Sequence, residues 1–130
     1  MNYFKFFIVL LLFTNTLNGQ EKRTIQIIQA GKSIRSSVEY PGANILQKEN
    51  DLRVILFHDG AKIESDLSYY YFNENSFKAN GKVIFNQGDS LLLTSDFLEY
   101  DGSTKKAFAY GNVNLTRPDM KLETDTLYLD

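Results

Sequence analysis

The feature that most constrains this chain is a line of about twenty residues that occurs almost twice. Residues 81–100 read GKVIFNQGDSLLLTSDFLEY, and residues 111–130 read GNVNLTRPDMKLETDTLYLD. In a weaker earlier copy, residues 54–56 align with residues 83–85. A unit that recurs about every thirty residues cannot bury its apolar side alone and is typical of stacked repeats. The repeat therefore predicts an array of strand-turn-strand units.

Within each copy, small or apolar residues occupy every second position. This alternation runs through residues 77–85 and again through residues 107–115. A period of two is typical of a β-strand that buries one face. Gly81 and Gly111 fall inside these strands, where glycine usually marks a bulge or a bend, so we expect a corner at each of them.

Short polar turns separate the predicted strands. Residues 58–60, 87–89 and 117–119 occupy equivalent places in the three copies, and residues 73–75 and 101–103 close the other ends of two units. Such connections are too short for a crossover helix, so the sheet must be antiparallel. Residues 34–50 match the repeat poorly and are interpreted as a short strand with loops.

A change of parity interrupts the second strand of each unit. In the central copy Leu93 and Asp96 are three residues apart, and Leu98 and Tyr100 continue with the opposite parity. One face cannot hold both columns unless an extra residue is inserted between them. We therefore predict a bulge or kink near the equivalent pairs of the three copies: Ser65-Asp66, Ser95-Asp96 and Thr124-Asp125.

The N-terminus predicts export. Lys5 precedes an eight-residue apolar run at residues 6–13, followed by a short polar stretch that ends at Gly19. We interpret residues 1–19 as a signal-peptide helix, cleaved after Gly19, and residues 20–130 as the mature β-repeat domain. The run is shorter than the roughly 20 residues that a membrane-spanning helix needs, so no permanent transmembrane anchor is expected. The chain has no cysteine, and hence no lipid-accepting thiol and no disulfide.

Composition and motifs argue against nucleic acid and against catalysis. The 14 basic residues are scattered and are outnumbered by 16 acidic ones, which gives no basic footprint for a phosphate backbone. No nucleophile elbow, phosphate loop or metal-ligand spacing occurs. The only histidine, His58, lies in a predicted hairpin tip and is interpreted as a solvated turn residue. We expect a non-enzyme without cofactor or metal.

Two further groups of residues have a structural and a functional interpretation. Asp66, Asp96 and Asp125 are equivalent residues of the three copies, which favours hydrogen bonds to the backbone at bulges over a row of cation ligands. Residues 69–72 read YYYF and could form an aromatic carbohydrate platform. Because side chains alternate along a strand, we expect these four instead to divide between buried and rim positions.

The ordered set of motifs resembles a known family. Residues 90–96 (SLLLTSD), 98–102 (LEYDG), 105–107 (KKA) and 111–113 (GNV) carry the resemblance, which covers roughly residues 23–130. They are similar to the OstA-like, LptA-type lipopolysaccharide transport proteins, in the form found in Bacteroidetes. The resemblance implies an open antiparallel β-jellyroll, or β-taco, whose copies stack edge to edge into a periplasmic bridge for the acyl chains of lipid A.

The functional hypothesis combines this resemblance with an apolar trough along the bent sheet. It describes a periplasmic lipid-binding protein, with association with the outer membrane as a further option, whose partners are lipopolysaccharide, other Lpt-type bridge components or a second copy through sheet edges. The candidate lipid-binding residues serve equally as core: Val54, Leu56, Val83, Phe85, Leu93, Leu98, Val113 and Leu115.

Two alternatives stay open at the sequence level. The first is an exported structural or adhesive β-repeat module, closed and dry inside, whose function lies in surface loops. The second is a fragment of a larger outer-membrane or bridge component, because the sequence stops at Asp130 directly after a predicted strand.

Overall fold

The described part of the protein is a single antiparallel β-sheet. The computed structural model describes residues 23–35 and 38–130, so the predicted signal peptide and its cleavage site lie outside the described residues. The expected all-β architecture is confirmed. The strands are β1 (Gln26–Gln29), β2 (Lys32–Arg35), β3 (Ala43–Gln47), β4 (Val54–His58), β5 (Ala61–Ser65), β6 (Leu67–Tyr71), β7 (Ser76–Gln87), β8 (Leu91–Asp101), β9 (Lys106–Arg117) and β10 (Met120–Leu129).

The pairing of these strands divides the sheet into two arms. One half of β7 pairs with β6 and the other half with β5, while β8, β9 and β10 follow as long neighbours. Strands β3 and β4 extend the two halves separately, as do β2 and β1. The first arm comprises β2, β3, β6 and residues 76–80, 97–101, 106–110 and 126–129. The second arm comprises β1, β4, β5 and residues 83–87, 91–95, 113–117 and 120–124.

Each crossing from one arm to the other passes through a bend. Gly81 and Lys82 both have positive φ (88° and 46°), as do Gly111 and Asn112 (81° and 48°). The pairing register shifts at these points and opposite residues 95–96, and it shifts again between Thr124 and Thr126. Strands β5 and β6 are separated at Asp66. The predicted glycine corners and all three predicted bulges are confirmed.

Short turns join the crossings, as the sequence predicts. Asp59 and Gly60 form the two-residue turn between β4 and β5, with φ of 48° and 86°. Two successive positive φ angles are typical of the type I′ hairpin turn, whose twist matches that of the strands it joins. Within the described part of residues 34–50, the end of β2 and the whole of β3 are present where one short strand with loops was expected.

The hydrophobic core lies between the two arms. Alternate residues of every crossing point inward, and their side chains form one apolar cluster. The largest of those that are almost completely buried are Phe77, Leu46, Leu56, Ile63, Leu93 and Leu98. In the first arm, every leucine of one inner row has only small cross-strand neighbours. The row consists of Leu46, Ser68, Ala79, Leu98, Ala109 and Leu127.

Candidate functional site

All eight candidate lipid-binding residues lie on the inner face, and seven of them lie on the second arm. The pairing register assembles four of these seven, with three residues that the sequence hypothesis left out, into one unbroken apolar row across the strands. Leu98 belongs to the first arm. The inner row consists of Ile27, Leu56, Ile63, Phe85, Leu93, Leu115 and Leu122.

Exposure changes along this inner row. Its five central members, Leu56 to Leu115, are each at most 6% exposed, whereas Ile27 at one end is 43% exposed and Leu122 at the other is 37% exposed. Ile63 is missing from the predicted set although its alignment with Leu93 and Leu122 in the repeat could have identified it. The inner row is therefore a core in its middle and an accessible apolar surface at both ends.

A second inner row alternates aliphatic and hydroxyl side chains. Val54, Val83 and Val113 are at most 1% exposed, and Ser65 and Ser95 stand opposite two of them across the strands. The serine hydroxyls donate to the carbonyl oxygens two residues further on, at 3.1 Å for Ser65 and 2.9 Å for Ser95. Thr124 on β10 repeats this bond at 3.2 Å. These hydroxyls satisfy backbone carbonyls at the bulges and leave an inner face with little free polarity.

Two of the three aspartates that follow these hydroxyl residues, Asp66 and Asp96, pack on the glycine corners. The carboxylate of Asp66 lies 3.4 Å from the guanidinium of Arg53, which also donates to the carbonyl oxygen of Gly81 at 3.1 Å. Asp96 accepts a hydrogen bond of 2.8 Å from the side-chain amide of Asn112. The expectation that these two carboxylates bind the backbone is wrong, because their partners are the side chains of Arg53 and Asn112. The roles of both remain structural.

The structure also contradicts the sequence interpretation of His58. It is 2% exposed and is not a solvated turn residue. Its Nε2–H donates to the carbonyl oxygen of Arg23 at 3.0 Å, and its Nδ1 lies 2.6 Å from the hydroxyl of Tyr100. A carbonyl oxygen can only accept, so in the neutral ring Nδ1 accepts from Tyr100. Because His58 belongs to the second arm and Tyr100 to the first, this bond joins the two arms.

A short segment before β1 completes the closure at this end. Residues 23–25, here called the strap, run between the arm tips. The backbone amide of Ile25 donates to the side chain of Asn75 at 2.8 Å, and the hydroxyl of Tyr70 donates to the carbonyl oxygen of Ile25 at 2.9 Å. The Ile25 side chain is 2% exposed. The strap therefore covers the core where β4 and β6 end.

An ion pair lies just outside this closure. Lys105, in the turn at the tip of the first arm, contacts the carboxylate of Asp59 in the turn of the second arm, and Arg23 of the strap lies 3.4 Å from the same carboxylate. The hydrogen bond and positive charge of Lys105 hold the pKa of Asp59 below its usual range. Burial raises the pKa of Tyr100 to about 12. A neutral buried contact and an exposed ion pair thus span the same gap.

The opposite end of the sheet has no such cover among the described residues. Strand β10 pairs with β9 only, and its inner-facing Leu122, Leu127 and Leu129 are partly exposed. A cavity of about 240 Å³ lies at this end, lined by Phe85 and Leu91 of the second arm together with Ala107 and Leu129 of the first. The space between the arms is accessible here.

The tyrosine-rich residues 69–72 divide between faces as predicted. Tyr70 is buried at 3% exposure and belongs to the core, whereas Phe72 is 61% exposed in the following turn. Tyr69 and Tyr71 are half-buried on the outer face, where the ring of Tyr69 contacts that of Tyr40 at 4.4 Å between centroids. These residues do not form one continuous platform.

The fold and this inner face define a bent, open antiparallel sheet whose apolar interior is accessible at the ends of the inner row. The family model for OstA-like proteins matches residues 22–130, so the chain belongs to the OstA-like protein family. No curated protein gives a significant match to the chain. The described residues include no helix with the length and apolar character required to cross a membrane.

Proposed function

We propose that this protein is a non-enzymatic lipid-binding protein of the periplasm that takes part in lipopolysaccharide transport to the outer membrane. The observation that carries the proposal is the inner row, which stays apolar across the seven strands of the second arm and is accessible at Leu122. Membership of the OstA-like family supports the transport role.

Acyl chains would lie along the inner face, starting at the β10 end. The nearest candidate residues are Leu115 and Leu93, and the cavity beside Phe85 offers about 240 Å³ there. Burying ten methylenes would contribute on the order of 8 kcal/mol before ordering costs, whereas an exposed ion pair contributes about 0–1 kcal/mol. Apolar contact would therefore dominate affinity, and the anionic head group would remain in water. Deeper residues such as Val54, Leu56 and Val83 would be reached only if the arms separate.

The sheet edges supply the proposed partner surfaces. Beyond β10, the described part of the chain has no strand to satisfy the outward backbone groups of that edge. An extended segment from a second copy or from another bridge component would continue the sheet and its inner row. Export to the periplasm, with the signal peptide at residues 1–19, belongs to the same proposal.

One observation favours a different function. The candidate residues are at most 6% exposed, and the strap seals the end where β4 begins its turn, as expected for a module that is closed and dry inside. On this alternative the protein is an exported structural or adhesive module, and its apolar interior serves stability alone.

A matched pair of leucines separates the two functions. Leu122 faces inward on β10 at 37% exposure, and Leu92 faces outward on the same arm at 38% exposure. Leu122→Asp places a charge on the proposed acyl track without burying it in the core, whereas Leu92→Asp places the same charge on the opposite face. We expect a fluorescent dodecanoyl probe to bind wild type and Leu92→Asp equally, and Leu122→Asp roughly tenfold more weakly.

The folded state of each variant is checked by circular dichroism and urea unfolding. Failure of the folded wild-type protein to bind the probe eliminates the acyl-binding function in favour of the closed module. Equal binding by all three proteins would mean that the probe does not bind along the inner row.

A further inference from the structure

The outer face of the first arm carries a stack of aromatic rings that the inner-face function leaves unexplained. Phe97 and Tyr110 stack at 4.8 Å between centroids with 12° between planes, and Phe108 lies 5.2 Å from Tyr110. Tyr128 of β10 extends the stack at 4.3 Å from Phe108. These rings occupy the side of the strands that alternation assigns to solvent, and Tyr128 is 77% exposed.

A cavity of about 400 Å³ adjoins the end of this stack. Phe108 and Tyr128 of the stack line it together with the core rings Phe77 and Tyr100. The charged residues of its lining are Lys78, Glu99, Asp101, Lys106 and Asp130. Lys78 lies 3.7 Å from Glu99, and Lys106 lies 3.9 Å from Asp130. All four charged side chains are at least 40% exposed, so they can exchange these weak pairs for a ligand.

This lining fits a neutral, polyhydroxylated ring. The faces of aromatic rings are electron-rich and attract the polarised C–H groups of a pyranose, while lysine and carboxylate groups donate to and accept from its hydroxyls. The two lysines are outnumbered by the carboxylates of Glu99, Asp101 and Asp130, so the cavity gives no net attraction for an anionic group. We propose that this cavity is a saccharide-binding site whose platform is Phe108 and Tyr128.

The location of the cavity connects the site to the groove. The outer cavity and the cavity between the arms share Ala107, Leu129 and Asp130, at the tip of the first arm. One amphiphile can therefore place its tail inside and fold its sugar over the strand ends onto the outer face. This pairing of tail and sugar rests on the proposed acyl-binding function, but the saccharide site itself has its own lining residues.

Two neutral detergents with the same tail test the site. Dodecyl β-maltoside and dodecyl octaethylene glycol ether differ only in the head group, and both are titrated below their micellar concentrations by calorimetry. We expect the purified protein to bind the maltoside more tightly, and Tyr128→Ala to reduce maltoside affinity roughly three- to tenfold while leaving the ether unchanged. Tyr40→Ala, which removes one ring of the Tyr40–Tyr69 pair elsewhere on the outer face, should change neither affinity.

Methyl β-maltoside, which has no tail, separates the two proposals. We expect it to shift the NMR signals of Phe108 and Tyr128 at millimolar concentration even in the Leu122→Asp variant. Binding of the ether with no preference for maltoside and no sugar-induced shifts overturns the saccharide site and leaves the groove intact. If methyl β-maltoside shifts these signals but the protein does not bind the dodecyl tail of either detergent, the acyl-binding groove is overturned and the saccharide site remains.

Discussion

Two regions of this sheet, one beneath the strap and one beside β10, are closed to different extents. Near β4 and β6, the strap and the His58–Tyr100 bond hold the arms together over a core in which Leu56 is 1% exposed. Near β10, Leu122 of the same inner row is 37% exposed. The strand pattern therefore creates the apolar face, but contacts between the arms decide where that face is sealed.

This difference assigns separate roles to the two ends. The strap end supplies stability, because its buried residues and cross-arm hydrogen bonds form only when both arms are in place. The β10 end retains apolar surface that a folded protein would ordinarily cover, which is a frequent property of binding surfaces. A protein that must both stay folded and accept a tail can divide these tasks along one sheet.

Truncation of two leucines of the inner row gives the largest expected contrast. Leu56→Ala leaves a cavity in the sealed core and should lower the free energy of unfolding by about 3 kcal/mol. Leu122→Ala removes a side chain that water already reaches and should cost about 1 kcal/mol or less. Urea denaturation of both variants measures the difference. Equal losses at the two positions would mean that the β10 end is as tightly packed as the strap end, and the comparison would fail.

Replacing the glycine at either corner should lower the stability by a similar amount, because β7 and β9 make the same bend. Gly81 and Gly111 have φ of 88° and 81°, and a Cβ at either would lie 2.9 Å from the Cβ of Asp66 or Asp96. We expect Gly81→Ala and Gly111→Ala each to destabilise the protein by roughly 2 kcal/mol.

Gly88→Ala is the matched control for the corners. Gly88 also has positive φ (57°), but a Cβ there meets nothing within 4 Å, so only the backbone penalty of about 1 kcal/mol applies. Thermal unfolding of the three variants compares them directly. A corner variant no less stable than Gly88→Ala would show that the close approach to aspartate is relieved at no cost.

Much of this fold could be predicted because its determinants are local. Alternation identifies the strands, a change of parity locates the bulges, and Gly81 and Gly111 mark corners that few other residues can adopt. The repeat also predicts the inner row, since Leu93 and Leu122 hold equivalent places in their copies. Each of these signals lies within about thirty residues of sequence.

The errors arise where distant segments meet. His58 is predicted at a solvated tip because nothing near it in the sequence announces that Arg23 and Tyr100 will cover it. The contact between Asp66 and Arg53 was missed for the same reason. The outer cavity was also missed, because Phe108 and Tyr128 occupy the positions that alternation assigns to solvent. Their stacking depends on how β8, β9 and β10 align.

The prediction with the smallest expected effect concerns the hydrogen bond between Tyr100 and His58, which joins the arms at the strap end. Tyr100→Phe removes the hydroxyl that donates to His58 and should cost roughly 1 kcal/mol at pH 7. The same change should alter the alkaline limb of the stability curve. Burial raises the pKa of Tyr100 to about 12 from the ordinary 10.0, so the unfolded chain loses this proton first as the pH rises.

This difference in pKa between the folded and unfolded chain determines how the stability changes with pH. The contribution of the neutral phenol is fully present below pH 10, is lost between about pH 10 and 12, and is on the order of 1–2 kcal/mol. Urea midpoints measured across this range should therefore fall more steeply for wild type than for Tyr100→Phe. Tyr128→Phe, at the exposed end, should follow the wild-type curve. If Tyr100→Phe follows it as well, the hydroxyl of Tyr100 ionises freely, and the arms at the strap end are as open to solvent as those at β10.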